Sequence, residues 1–251
     1  MRNKKILLIV IGIIVVITIL ALVLILTLKK NPEQEKEEEN IDVEQLEIDF
    51  DSLFDNEGTE YIGTLYHIEE EKSGEYKIGA DIPYVHIQNE IDNKINKEIN
   101  DVFANKLLQV INENESYTRV KIDYSASINQ NIISLAIRCV LKEGNNAQRT
   151  IIKTYNYDVL NQREIDIMEI IPQDKTEEIQ NQINQEIEKQ IKKEETIIKQ
   201  GYNVYRRDRS SDIYILENAT EFYIRNNILY IIYSYGNNNY TSEIDLIINK
   251  I

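Results

Sequence analysis

From residue 6 to residue 28 the chain reads ILLIVIGIIVVITILALVLILTL, without one charged side chain. At about 1.5 Å per helical residue the run reaches roughly 35 Å, which suits a hydrocarbon core about 30 Å thick. Lipid offers nothing to an open backbone, so the pattern predicts a single membrane-spanning helix. Residues 31–40, NPEQEKEEEN, hold no apolar position and predict a solvated stalk. Between residues 41 and 58 acids alternate with Ile41, Val43, Leu46, Ile48, Phe50, Leu53 and Phe54. This reads as a juxtamembrane linker with one hydrophobic tether, with a short strand admitted by the spacing Leu46, Ile48, Phe50.

The pattern of a folded domain begins near Tyr61. Residues 65–70 and 76–82 flank Lys72-Ser73-Gly74-Glu75 as a hairpin, and Pro83 is expected to close its second strand. The period then changes. Ile87, Ile91, Ile95, Ile99, Phe103, Leu107 and Ile111 recur every fourth residue, which predicts a long amphipathic helix over 87–112. Residues 118–128, 132–141 and 148–159 follow as three strands of a meander. Ile179, Ile183, Ile187 and Ile191 stripe a second helix over 174–200, with Asp174 or Thr176 as cap and Gly201 as stop. Strands over 221–225, 228–235 and 240–248 end the chain. The expected architecture is α+β: an antiparallel sheet with two long amphipathic helices on one face.

Composition sharpens where this domain works. The apolar run is too long for a cleaved signal, and its exit, Leu26-Thr27-Leu28-Lys29-Lys30, has no small-x-small site. Arg2, Lys4 and Lys5 precede it, against Lys29 and Lys30 after it, which places the N-terminus in the cytoplasm. The expected organisation is a cytoplasmic stub (1–5), a signal anchor (6–28), an acidic stalk (29–60) and an extracytoplasmic domain (61–251). The chain holds 43 Asp and Glu against 28 Lys and Arg, a net charge of −15, which argues against nucleic acid. It suits a basic partner or solubility beside a cell wall. Cys139, the one cysteine, excludes an intrachain disulfide and sits in a strand-like apolar run as a small hydrophobe.

The order of elements resembles a known family. Asp81-Ile82-Pro83-Tyr84 leads into Ile91-Asp92-Asn93-Lys94-Ile95-Asn96. Thr154-Tyr155-Asn156-Tyr157-Asp158, the E-x-D-I-x-E-I-I-P stretch ending at Pro172, and the hairpin from Glu221-Phe222-Tyr223-Ile224 to Tyr235 follow. Over residues 61–251 this resembles the extracytoplasmic domain of the lysozyme-responsive anti-sigma-V factor, which also stands at the N-terminus of a peptidoglycan deacetylase. Two loops depart from the family pattern, at Gly144-Asn145-Asn146-Ala147 and at Tyr235-Gly236-Asn237-Asn238-Asn239-Tyr240. The resemblance implies a sensor-like ectodomain. Anti-sigma activity is not expected, because a five-residue stub cannot hold a sigma factor, and the deacetylase module is missing.

Catalytic chemistry is not legible. His67 and His86 have no partner at metal-ligand spacing, and no nucleophile elbow, S-x-x-K or phosphate-cradling glycine loop is present. The expectation is therefore a non-enzymatic binding domain with no cofactor and no metal, recognising a wall component or a basic protein such as lysozyme. The alternative is a cell-envelope hydrolase or a deacetylase-associated protein with unrecognised catalytic residues. Eight of the sixteen tyrosines fall between Tyr202 and Tyr240. Tyrosine brings contact area at little entropic cost. Tyr202, Tyr205, Arg206, Tyr235 and Tyr240 are accordingly the candidate ligand contacts, with Arg207 and Arg209 available to an anionic polymer.

Overall fold

The computed structural model describes residues 50–87, 90–113, 116–146, 148–202, 204, 206–234 and 244–251. The expected anchor (6–28) and most of the stalk fall outside them. Among the described residues no helix is long and apolar enough to cross a membrane.

Six strands form the first sheet: β1 (Ile62–Lys72), β2 (Tyr76–Val85), β3 (Thr118–Asn129), β4 (Ile132–Glu143), β5 (Arg149–Asp158) and the short β6 (Arg163–Glu164). They lie in sequence order. All neighbours are antiparallel except β2 and β3, which run parallel from Tyr76 opposite Thr118 to Ala80 opposite Ile122. The expected wholly antiparallel sheet is corrected here, for a simple reason. A helix connects β2 to β3, and a helical crossover returns the chain to the end where it started.

That connection is α1 (Glu90–Ile99), a π-helical turn (Asn100–Ala104) and α2 (Asn105–Glu113). The π turn has a cause in the sequence. On a regular α-helix a stripe repeating every four residues drifts by about 40° per repeat. A wider π turn in the middle brings it back. Ile95, Ile99, Phe103 and Leu107 are consequently all buried, at 0–4% exposure, against one face of the first sheet.

Pro83 does not end β2. The strand runs on to Val85, with Pro83 opposite Thr64 and a register shift between Thr64 and Tyr66. Pairing with β3 has already stopped at Ala80, so here β2 has a neighbour on one side only. A proline with a bulge opposite is tolerated at such a place.

The second half builds a separate sheet. β7 (Phe222–Arg225), β8 (Ile228–Ser234) and β9 (Ile244–Lys250) form an antiparallel meander. Asn226 and Asn227, at φ 54° and 59°, make the tight turn between β7 and β8. Two helices serve this half, α3 (Ile167–Ile170) and α4 (Thr176–Lys199). Ile179, Ile183 and Ile187 of α4 pack with Ile224, Leu229, Ile231 and Ile247 in a second core. The two long helices thus belong to two cores and do not share a face of one sheet. All described residues lie within one compact unit, Glu47–Ile251.

Helix ends follow local rules, with one correction. The E-x-D-I-x-E stretch is a capping box: Asp166 accepts from the Met168 amide at 2.8 Å and Glu169 accepts from the Asp166 amide at 3.1 Å. Arg163 and that amide hold the Glu169 carboxyl down at about 2. Neither Asp174 nor Thr176 caps α4. A 3₁₀ turn, Gln173–Lys175, runs directly into it, and Lys175 stands at the cap position with no side-chain bond. Gly201, at φ 91°, does stop the helix. Its amide bonds to the Ile198 carbonyl, and the Tyr202 amide bonds to that of Ile197.

Candidate functional site

The first sheet has one face on the α1–α2 core and one polar face, which is divided into three stretches. At one end β7 lies across β3, β4 and β5. Its outer edge would leave the amides and carbonyls of Phe222 and Ile224 unpaired, and side chains of the first sheet take all four. Thr154 Oγ1 accepts from the Phe222 amide at 3.0 Å, and Asn156 Nδ2 donates to the Phe222 carbonyl at 2.8 Å. Ser134 Oγ accepts from the Ile224 amide at 3.0 Å, and the Ser127 hydroxyl donates to the Ile224 carbonyl. Tyr223 adds a bond to Ser125 at 2.8 Å. Polar residues on strands that read as core are there to dock another strand.

The middle stretch is sealed by the segment entering the domain. Arg138 bonds Asp123 across the β3–β4 pair through Nε at 2.8 Å and Nη2 at 2.7 Å, and reaches Asp51 through Nη1. The Phe54 ring covers the guanidinium, 4.3 Å from its carbon. Asn56 accepts from the Tyr124 amide at 2.8 Å and donates to Asp81 at 3.0 Å. Asp55 pairs with Arg225 at 2.8 Å. The hydrophobic tether expected in the linker is therefore Leu53 and Phe54, 4% and 7% exposed.

The third stretch is open. A groove of about 480 Å³ runs over β2, β3 and β4, bordered by Lys77, Arg119, Lys121 and Lys142. Lys77 lies opposite Arg119 in the parallel pair, and Arg119 opposite Lys142 in the antiparallel one, so three cations stand in one row. Like charges directly opposite each other destabilise a sheet. Partial compensation is local: Lys77 pairs with Glu71 at 3.1 Å, Lys121 with Asp123 at 2.6 Å, and Lys142 donates to the Asn146 carbonyl. Arg119 lies over the Tyr117 ring, 5.4 Å from its centre. At the far end, Glu69 leans over Gly79, its carboxylate 3.5 Å from where a Cβ would stand. Asp81 there bonds His67 Nδ1 at 2.8 Å, and this hydrogen bond raises the His67 pKa.

A smaller cleft of about 260 Å³ between β5 and the start of β7 holds Glu98, Lys153, Tyr155 and Glu221. Burial pushes the Glu221 carboxyl up, against Lys153 and Thr154. Such a carboxyl is what an acid–base reading would seek. Its oxygens are already engaged: the Thr154 amide donates at 2.6 Å, the Thr154 hydroxyl at 3.0 Å and Lys153 at 3.2 Å. Glu221 ties β7 to β5. The buried Tyr155 hydroxyl alongside has no hydrogen-bond partner among the described residues.

Of the contacts expected from sequence, Tyr202 is 66% exposed just past the end of α4. Arg206 is exposed and borders a cleft of about 280 Å³ with Ile191 and Ile198. Tyr205, Tyr235 and Tyr240 fall outside the described residues. Arg207 has a different role from the ligand contact expected of it: it is buried, held by Asp245 and Glu194. Arg209 pairs with Glu188 at 3.3 Å. The groove cations were not singled out in the sequence. Arg119-x-Lys121 on one side of β3 was a visible signal, but their neighbours depend on the parallel crossover.

No protein-family model matches the chain, and no curated protein does. Among solved structures it is similar to a DUF3298 family protein from Pseudomonas aeruginosa, at 9% identity and TM-score 0.44, over 71% of this chain and 83% of that one. It is likewise similar to a DUF3298 family member from Bacteroides fragilis, at 12% identity and TM-score 0.42, over 78% and 91%.

Proposed function

We propose that the chain is a membrane-anchored, extracytoplasmic binding or sensing domain of a Gram-positive-type bacterial envelope, not an enzyme. On this reading its ligand is an anionic wall component taken in the groove over β2, β3 and β4. The charge-free run at 6–28, preceded by Arg2, Lys4 and Lys5, supports the anchor. The order of motifs that resembles the anti-sigma-V ectodomain supports a sensing role. One observation carries the choice of ligand. A chain of net charge −15 places Lys77, Arg119 and Lys142 side by side on adjacent strands. An arrangement that costs stability in the free protein is relieved by a bound anion. The test is retention of the full chain, in nonionic detergent, on purified cell wall. Retention that is lost at high salt supports the reading; equal retention of a Lys77→Ala, Arg119→Ala, Lys142→Ala variant overturns it.

A second reading, a basic protein such as lysozyme as partner, is favoured by the outer edge of β1. That strand is the sheet's edge and carries Glu69, Glu70 and Glu71, all exposed. Binding to immobilised lysozyme that Glu69→Lys, Glu70→Lys, Glu71→Lys abolishes would favour this partner over the wall.

A further inference from the structure

We infer that the groove takes phosphate, in the form of a linear polyol-phosphate chain laid across β2, β3 and β4; this rests on the anionic-ligand reading above. Strands lie about 4.8 Å apart and residues of one strand face about 6.8 Å apart. The row Lys77, Arg119, Lys142 therefore spans about 10 Å, and Lys121 stands one step along β3 from Arg119. No single small ion reaches all four. A chain with a charge on every short repeat does.

The kind of anion follows from the donors. A carboxylate offers two coplanar oxygens, and one guanidinium fork takes both. Arg119 alone would saturate it and leave Lys77 and Lys142 facing each other across the site uncompensated. The free oxygens of a phosphodiester splay tetrahedrally, so one meets the Arg119 fork while the other meets a lysine, which serves phosphate as a point charge. Lysines flank the arginine on both neighbouring strands.

The acids of the groove select what lies between the phosphates. Glu69 over Gly79 and Asp81 beside it close one end with carboxylate acceptors. They repel a further anion and accept hydrogen bonds from hydroxyls, which a polyol spacer carries. Nucleic acid fits less well. Tyr117 is the aromatic beside this row and Arg119 covers it, so a base has no stacking platform there.

The experiment is fluorescence anisotropy with labelled short-chain poly(glycerol phosphate) and the full chain in nonionic detergent. Poly-glutamate, single-stranded DNA and inorganic phosphate are competitors. Expected are binding weakened at least tenfold from low to high salt, and a further tenfold loss in the Lys77→Ala, Arg119→Ala, Lys142→Ala variant. Arg119→Gln alone should lose at least threefold, which guards against misfolding of the triple variant, and Arg206→Ala should change nothing. Poly-glutamate and DNA should compete at least tenfold more weakly than the unlabelled polymer. If either competes equally, the polyol-phosphate assignment falls while the anionic groove stands. If inorganic phosphate competes equally per phosphate, the polymer assignment falls. If no polyanion binds, or the groove variants bind unchanged, both readings fall.

Discussion

Arg207 and Asp245 meet as a two-bond pair, Nε to Oδ2 and Nη2 to Oδ1 each at 2.8 Å, with side chains 5% and 1% exposed. Glu194 of α4 takes the other side of the guanidinium, so one arginine joins the loop after α4, the helix and β9. Removing a partner strands a buried charge, which costs about 3–5 kcal/mol. Asp245→Asn and Arg207→Ala should each lower the urea midpoint by that much stability. Arg209→Ala, on an exposed pair, should change it by less than about 1 kcal/mol.

The docking of β7 should be sensitive to single hydroxyls. Ser134 both accepts from the Ile224 amide and donates to Asn156, which in turn serves Phe222. Ser134→Ala leaves a buried amide unpaired, for which about 1–3 kcal/mol is expected. In a double-mutant cycle with Asn156→Ala the two losses should sum to more than the double variant's, because both act on the same strand. Strict additivity in denaturant unfolding would contradict the shared role.

Acid should act through two carboxylates. Asp158, which accepts from the Leu160 and Asn161 amides and from Asn161 and Asn131 side chains, is held at about 2 against an ordinary 3.8. Glu169 is held at about 2 against 4.5. A depressed carboxyl stabilises above its unfolded pKa, and that contribution disappears as pH falls from about 4.5 through about 2. Carbon NMR titration should find both carboxyls still ionised at pH 3, and Asp158→Asn should flatten the acid limb of the melting curve.

His67 carries the opposite sign. Asp81 raises its pKa above 6.5. Its contribution is complete below that value and lost as pH climbs through the folded pKa. Proton NMR should place His67 above 6.5 in the native chain and return it toward 6.5 in Asp81→Asn.

Cys139 lies 1% exposed in the centre of β4, and burial pushes its thiol up to about 12. The native thiol should be inert to a disulfide reagent at pH 8 and react at the rate of unfolding. Immediate reaction in native buffer would show that β4 opens locally.

Periodicity carried much of this. The four-residue stripe from Ile87 to Ile111 marked a helix, and even its π turn is a consequence of that spacing. Alternation in β3 and β4, and Gly201 after α4, were equally legible because each rests on a neighbour a few residues away. The charge-free run at 6–28 is a property of composition and needs no fold to be read.

What tertiary structure alone decided is who stands beside whom at long range. Ser125, Ser127, Ser134 and Asn156 looked like polar interruptions of a core; they are docking points for a strand about a hundred residues later. Arg207 looked like an exposed cation until β9 and α4 closed on it. Lys77 and Arg119 became neighbours only through the parallel crossover of α1 and α2. A side chain's own strand or helix tells which way it points, by a period of 2 or 3.6. Which charges it then meets depends on strand order and register, and those arise from burying both cores at once.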